Sequence, residues 1–275
     1  MRPKTVLAGP RIKNSRDFQN KSKPYHKKRR SAGGGGHQLK PGVFRVESLS
    51  AIRDFLLRCP EKILGIWCDA SCQEKVRGGL QGVEVPDFQL PEAGSEIPFW
   101  AEISLDPLTE KQFLLRLSLE ERPSVLLALD HVTDPRNLGA IARSAAYFGV
   151  RYILLPKDRQ VGLSHASVNT SQGAFAWTEL VQVVNLSRTL RTLKKEYGYW
   201  TIACEKSGCE PEAHEGPLDP VVLVLGNEEK GLSALIQRQC DFSLGIKGVD
   251  GCMDSLNVSV AAGVMLRALI QRQKK

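Results

Sequence analysis

Three short segments of this chain hold residues whose types and spacing could do chemistry. The first is Asp130-His131-Val132-Thr133-Asp134-Pro135-Arg136-Asn137, running on into Leu138-Gly139-Ala140-Ile141-Ala142-Arg143. Pro135 and Asn137 fit a turn into a helix, and Asn137 could cap it. Arg143 stands six residues on, about 600° of helical rotation, so the two side chains leave different faces. A long Arg side chain could still lean back toward the helix start. Taken alone, capping accounts for Asn137 and a surface charge for Arg143. The second segment is Gly226-Asn227-Glu228-Glu229-Lys230-Gly231-Leu232. Gly226 permits close approach of a ligand to the backbone, and Glu228 would sit at the mouth of a sheet. An ordinary strand-to-helix turn would also explain it. The third is Ser255-Leu256-Asn257-Val258-Ser259-Val260-Ala261-Ala262-Gly263. Ser255 suits a helix N-cap, and the small residues after it allow close packing. Neither G-x-G-x-x-G nor G-x-x-x-x-G-K-[ST] occurs, which weakens a nicotinamide reading and removes the phosphate-loop ATPases.

The elements that must position these segments follow from hydrophobic patterning. Val125-Leu126-Leu127-Ala128-Leu129 and Val221-Val222-Leu223-Val224-Leu225 are unbroken apolar runs, as expected of strands covered on both faces. Further strands are predicted at Tyr152–Leu155, Tyr199–Cys204 and Phe242–Ile246. Helices are predicted at Leu138–Phe148, Leu186–Tyr197, Leu232–Gln239 and Leu256–Gln271. Alternating strands and helices imply a parallel sheet, and such sheets bind ligands beyond the carboxyl ends of their strands. That rule points at loops 130–137, 226–231 and 247–255. Upstream, residues 42–118 read as a small α/β unit. Leu49, Ile52, Phe55 and Leu56 recur at helical spacing, Ile63–Trp67 reads as a buried strand, and Val83–Val85 as another. Four prolines between Pro86 and Pro107 leave that stretch without an assignment.

Charge is concentrated at one end. Residues 1–40 hold twelve Lys or Arg against a single acid, Asp17, so the chain's net +8 resides there. With Lys27-Lys28-Arg29-Arg30 and Gly33–Gly36 and few apolar side chains, residues 1–41 are expected to form a flexible basic arm. Such arms attract polyanions, nucleic acid foremost. A solvated tail without a specific partner, or a targeting segment, has the same composition. The start lacks the apolar stretch of a secretory signal, and no apolar run reaches the roughly 18 residues of a membrane span. The seven cysteines include no C-x-x-C pair and read as free thiols in a reducing compartment such as the cytoplasm.

It is the three segments in this order that carry a resemblance. Asn-x-Gly-x-x-x-Arg (137, 139, 143), Leu-Gly-Asn-Glu-x-x-Gly-Leu (225–232) and Ser-Leu-Asn-Val-Ser-Val-Ala (255–261) resemble the SpoU, or TrmH-like, family of RNA ribose methyltransferases over about 150 residues. The resemblance implies an α/β domain over residues 122–275 whose C-terminal part threads a trefoil knot, an arrangement hydrophobic patterning could not reveal. It implies that S-adenosylmethionine lies against Gly226, Ile246 and Leu256. Asn137, Arg143, Glu228, Ser255 and Asn257 match the family's active-site positions. Residues 42–118 would bind the RNA substrate, and the molecule would be a homodimer. The implied reaction is methyl transfer to a ribose 2′-OH; the two-domain layout with a basic arm favours ribosomal RNA over transfer RNA. Arg143 would hold a phosphate and stabilise the developing alkoxide, because a guanidinium is too basic to serve as a base. Glu228 would fix Arg143 or a backbone amide. Lys247 follows Ile246 where the family often has Pro, the loop Lys247–Asp254 is longer than usual, and Glu229 stands where a small residue is common. The competing readings are a non-catalytic RNA-binding assembly factor on the same fold, and a base methyltransferase.

Overall fold

Two β-sheets organise the chain from Leu39 onward in the computed structural model, which describes residues 39–92, 95–158, 161–249 and 252–273. The expected basic arm, save its last residues, lies outside the described residues. The smaller sheet has the order β1-β4-β2-β3, built from β1 (Val43–Val46), β2 (Ile63–Cys68), β3 (Phe88–Gln89) and β4 (Phe99–Ser104). Here β4 runs antiparallel to both β1 and β2. Helix α1 (Leu49–Arg58) buries Ala51, Ile52, Phe55 and Leu56, the stripe its spacing predicted. A short α2 (Gln73–Gly79) follows β2. Val83–Val85 is not a strand. It lies in the loop before β3, and the proline-rich stretch holds β4.

The larger sheet has seven strands, all parallel, in the order β11-β9-β10-β6-β7-β8-β5. They are β5 (Leu108–Thr109), β6 (Val125–Leu129), β7 (Tyr152–Pro156), β8 (Glu179–Val183), β9 (Trp200–Cys209), β10 (Val221–Leu225) and β11 (Phe242–Leu244). Every residue of β6 and β10 is buried, so helices cover both faces. On one face Val125, Leu127 and Leu129 pack with α4 (Pro135–Tyr147) and α8 (Val258–Gln273). On the other, Leu126 and Ala128 pack with α3 (Glu110–Leu119), α6 (Leu186–Tyr197) and α7 (Ala234–Gln239). Phe113 and Leu117 of α3 are buried against Leu126 and Tyr152, and β5 pairs with β8. Residues 108–119, read from sequence with the smaller unit, thus pack on the larger sheet.

Between Pro156 and Val184 the sequence reading placed nothing, yet α5 (His165–Ser171) and β8 stand there. The helix has seven residues, His-Ala-Ser-Val-Asn-Thr-Ser, a composition that favours turns when isolated. Ser164 and Ser167 start it by a reciprocal capping box. Gly139 explains why it docks. A Cβ there would lie 2.5 Å from the Ser167 carbonyl oxygen, so only glycine lets α4 and α5 approach this closely. Among the described residues no helix is long and apolar enough to cross a membrane, and the seven cysteines form no disulfide.

One ionic joint fastens the short edge strand β11. Asp241 accepts from the Thr201 amide and hydroxyl, both at 2.9 Å, and pairs with Lys194 at 2.7 Å. Burial raises its pKa, but the Lys194 ammonium and the Thr201 donors outweigh it and hold the carboxyl below the ordinary 3.8. Stability from this charge is therefore full above about pH 4 and is lost as pH falls through the lower folded value. Asp241→Ala is expected to cost about 1–3 kcal/mol at neutral pH by leaving the buried Thr201 amide without its acceptor. Denaturation series at pH 7 and pH 3 should show the penalty shrinking at the lower pH.

Candidate active site

The two central strands deliver the first two candidate loops side by side. β6 and β10 are parallel neighbours, and strand order departs from them in opposite directions, the place where open α/β sheets hold ligands. The Asp130 amide donates to the Leu225 carbonyl at 2.8 Å, extending the pairing one residue past the strands. Buried Asp130 also accepts from the Ser233 amide at 2.7 Å, which ties the first loop to the end of the second.

Asn137 is not the cap of α4. Asp134 is, accepting from the Arg136 amide at 2.8 Å with Pro135 at the first helical position. This leaves the Asn137 amide free to turn inward, where it is 8% exposed. Its Nδ2 donates to Glu228 Oε1 at 2.7 Å, and its Oδ1 accepts from Asn257 Nδ2 at 3.1 Å. Asn227 completes the joint, donating to Glu228 Oε2 at 3.2 Å and to the His131 carbonyl at 2.8 Å. Three sequence-predicted residues, 91 and 120 positions apart along the chain, therefore form one chain of hydrogen bonds. Asn257 rather than Ser255 begins α8. Its Oδ1 accepts from the Ser259 amide at 2.8 Å and hydroxyl at 2.6 Å, and its carbonyl from the Ala261 amide. Ser255 and Leu256 precede the helix and are exposed.

Arg143 does not join this cluster. It is exposed on the far side of α4, as the helical rotation foretold, in a shallow groove with Tyr147, Val260, Gly263 and Val264. Glu228, expected to fix Arg143 or a backbone amide, instead receives the two asparagine amides. Gly226 also has a different reason to be glycine. A Cβ there would sit 2.3 Å from the Gly231 carbonyl carbon, so the loop's own return demands glycine, and the same residue lines a cavity. Asn227 and Gly231 exchange two backbone bonds of 2.9 Å, and Gly231 turns at φ +67°.

That turn, residues 227–232, is a shared wall between two cavities. One, of about 520 Å3, is lined by Leu225, Gly226, Ile246, Ser255, Leu256 and Ala261 among others. Cys204 also lines it, but burial, reinforced by Glu205, pushes its thiol up to about 11, so it stays protonated at neutral pH. The other, of about 940 Å3, is open and polar, with His131, Thr133, Asp134, Asn137 and Glu228 on its walls. The sequence reading assigned no role to Asn227 and Asp130. Asn227 sat inside a quoted motif, and Asp130 directly follows a buried strand.

Residues 124–267 match the SpoU rRNA Methylase family. The chain belongs to that family. Among its SpoU-type relatives, the 23S rRNA (guanosine-2′-O-)-methyltransferase RlmB of Coxiella burnetii is 41% identical over 174 residues, 62% of this chain and 67% of that protein. An uncharacterized tRNA/rRNA methyltransferase of Mycobacterium avium is 40% identical over 219 residues, 77% of this chain and 70% of the relative. In structure, the SpoU methyltransferase AviRb from Streptomyces viridochromogenes, solved with the cofactor AdoMet, superposes with a TM-score of 0.69 at 20% identity. The alignment covers 85% of this chain and 91% of AviRb, a likeness of fold. The joined Asn137, Glu228 and Asn257 all lie within the SpoU region.

Proposed function

We propose that this SpoU chain transfers the methyl group of S-adenosylmethionine to a ribose 2′-hydroxyl of ribosomal RNA, acting as a homodimer in the cytoplasm. The observation that carries the reading is the Asn257–Asn137–Glu228 joint, which stands beside the turn that two adjoining cavities share, one mainly apolar and one more polar. The relatives agree with it, since RlmB is named for guanosine 2′-O-methylation of 23S rRNA.

The smaller cavity fits the cofactor. Its volume lies in the ordinary range for small-molecule sites, roughly 300–1,000 Å3. Leu225, Ile246, Leu256, Val258 and Ala261 offer apolar cover for an adenine, while Glu205 and Glu228 suit cationic groups. Gly226, Ile246 and Leu256 would hold it. When bound, S-adenosylmethionine supplies an electrophilic methyl carbon on a sulfonium. The open cavity is the place for the nucleotide. Asn137, Glu228 and Asn257 hold the loops in register, and Ser255 lines the cofactor side.

Arg143 is the cation for a phosphate and the developing alkoxide, and it reaches a site through dimerisation. Tyr147 (85% exposed), Val260 and Val264 surround it on a face that two copies can bury together. A deep trefoil knot at the C-terminal end fits the crowding of glycine backbones: a Cβ on Gly208 would lie 2.4 Å from the Leu244 carbonyl carbon, and one on Gly245 2.4 Å from the Glu205 oxygen. Residues 42–104, the part of the expected 42–118 unit that keeps to the smaller sheet, are the RNA-binding unit, where half-buried Trp67 stands at the sheet surface with its inner side on buried Trp100. The basic arm, residues 1–41, adds attraction for the polyanion.

Calorimetry tests the cofactor site. The wild-type protein is expected to bind S-adenosylmethionine with micromolar affinity, and Leu256→Asp to abolish it without unfolding, because Leu256 is 50% exposed. A folded wild-type protein that binds no cofactor would overturn the reading.

A further inference from the structure

Resting on the reading of a ribose 2′-O-methyltransferase, the geometry points to His131, held by Asp130, as the catalytic residue that accepts the proton of the 2′-hydroxyl. His131 Nδ1 lies 2.7 Å from Asp130 Oδ1, and the other Asp130 oxygen receives the Ser233 amide at 2.7 Å. Asp130 is 2% exposed and cannot swing away. A carboxylate only accepts, so Nδ1 is the donor, and in the neutral ring the lone pair falls on Nε2. Nε2 has no partner among the described residues, and the ring lines the open cavity beside Asn137 and Glu228.

The backbone singles out the same residue. His131 has φ +63°, one of two non-glycine residues in the left-handed region among those described. A side chain is uncommon there, and such conformations gather at functional sites. The Asn227 amide fixes the His131 carbonyl at 2.8 Å, so the glutamate that orders Asn137 shares its second asparagine with the histidine.

The other charged groups on this cavity are poorer bases. Both Glu228 oxygens are engaged by asparagine amides, and the Asp134 carboxylate by Arg136. Glu229 is exposed and Lys230 is a cation. Arg143 is too basic to be found unprotonated. In the step, the 2′-oxygen forms its bond to the methyl carbon as the carbon–sulfur bond breaks. With S-adenosylmethionine bound, the leaving group would be a neutral thioether that takes the electron pair of the broken carbon–sulfur bond. The hydroxyl proton passes to His131 Nε2, and the imidazolium, paired with Asp130, later releases it to water.

The test compares single-turnover methyl transfer to ribosomal RNA across pH 5 to 9 in wild type, His131→Gly and Asp130→Asn, with cofactor and RNA saturating. Glycine suits the positive φ, so His131→Gly is expected to melt no lower than wild type. Its rate should fall about 100-fold or more, lose the acid limb of the wild-type profile and recover partly with added imidazole. Asp130→Asn should slow the rate with cofactor and RNA affinities unchanged. Nitrogen chemical shifts of His131 in the free protein should report the Nδ1-protonated ring. A His131→Gly rate within threefold of wild type, an unchanged acid limb, or an Nε2-protonated ring would overturn the assignment. If the wild type itself leaves no methyl on ribose, the broader reading fails and this one falls with it.

Discussion

Arg143→Lys is expected to keep the fold and the cofactor affinity of the wild type and to lose about 100-fold or more in kcat. The residue is exposed and makes no ion pair among the described residues, so nothing in the protomer depends on it for stability. What is lost is geometry rather than charge. A guanidinium presents a planar fork of donors matched to a phosphate, whereas an ammonium is a point charge. Arg143→Ala should be at least as slow. Stopped methyl-incorporation assays paired with calorimetry separate the two effects. A Lys variant with near-wild-type kcat would remove Arg143 from the chemistry.

Mixing two inactive variants should restore activity. In one protomer Arg143 lies across α4 from Asn137, and the two occupy different cavities. A site that needs both must draw Arg143 from the partner copy. Arg143→Ala keeps a cofactor cavity but no cation, and Leu256→Asp keeps the cation but no cofactor. After co-refolding of equal amounts, half the dimers are mixed and each has one complete site. Roughly a quarter of the wild-type activity is expected from this symmetry. No recovery above the parents would show that Arg143 acts within its own chain or not at all.

These expectations depend on features of unequal legibility. The cores of β6 and β10 were plain in sequence because ten consecutive-type apolar residues have no other place to go but a covered sheet. The three loops followed from the strand rule, and the separation of Asn137 from Arg143 from helical rotation. Capping was misread twice, at Asn137 and at Ser255. Asp134, Asn137, Ser255 and Asn257 are all competent caps, and only the backbone decides which one stands at the junction. At Gly226 the sequence suggests close ligand approach but not the return of Gly231 onto it, a contact within one loop that no periodicity encodes. The partner of Glu228 lay 91 residues away. The polar seven-residue helix α5 and the five-residue strand β8 escaped because short elements take their stability from neighbours, here Gly139 and β7, rather than from propensity.

The most direct measurement is the position of the methyl group. Purified protein, labelled S-adenosylmethionine and ribosomal RNA are incubated, and the RNA is then hydrolysed in alkali. A 2′-O-methyl group blocks cleavage at its own nucleotide, so the label should appear in an alkali-resistant dinucleotide. Label recovered in mononucleotides would mean methylation of a base, and would contradict transfer to the ribose.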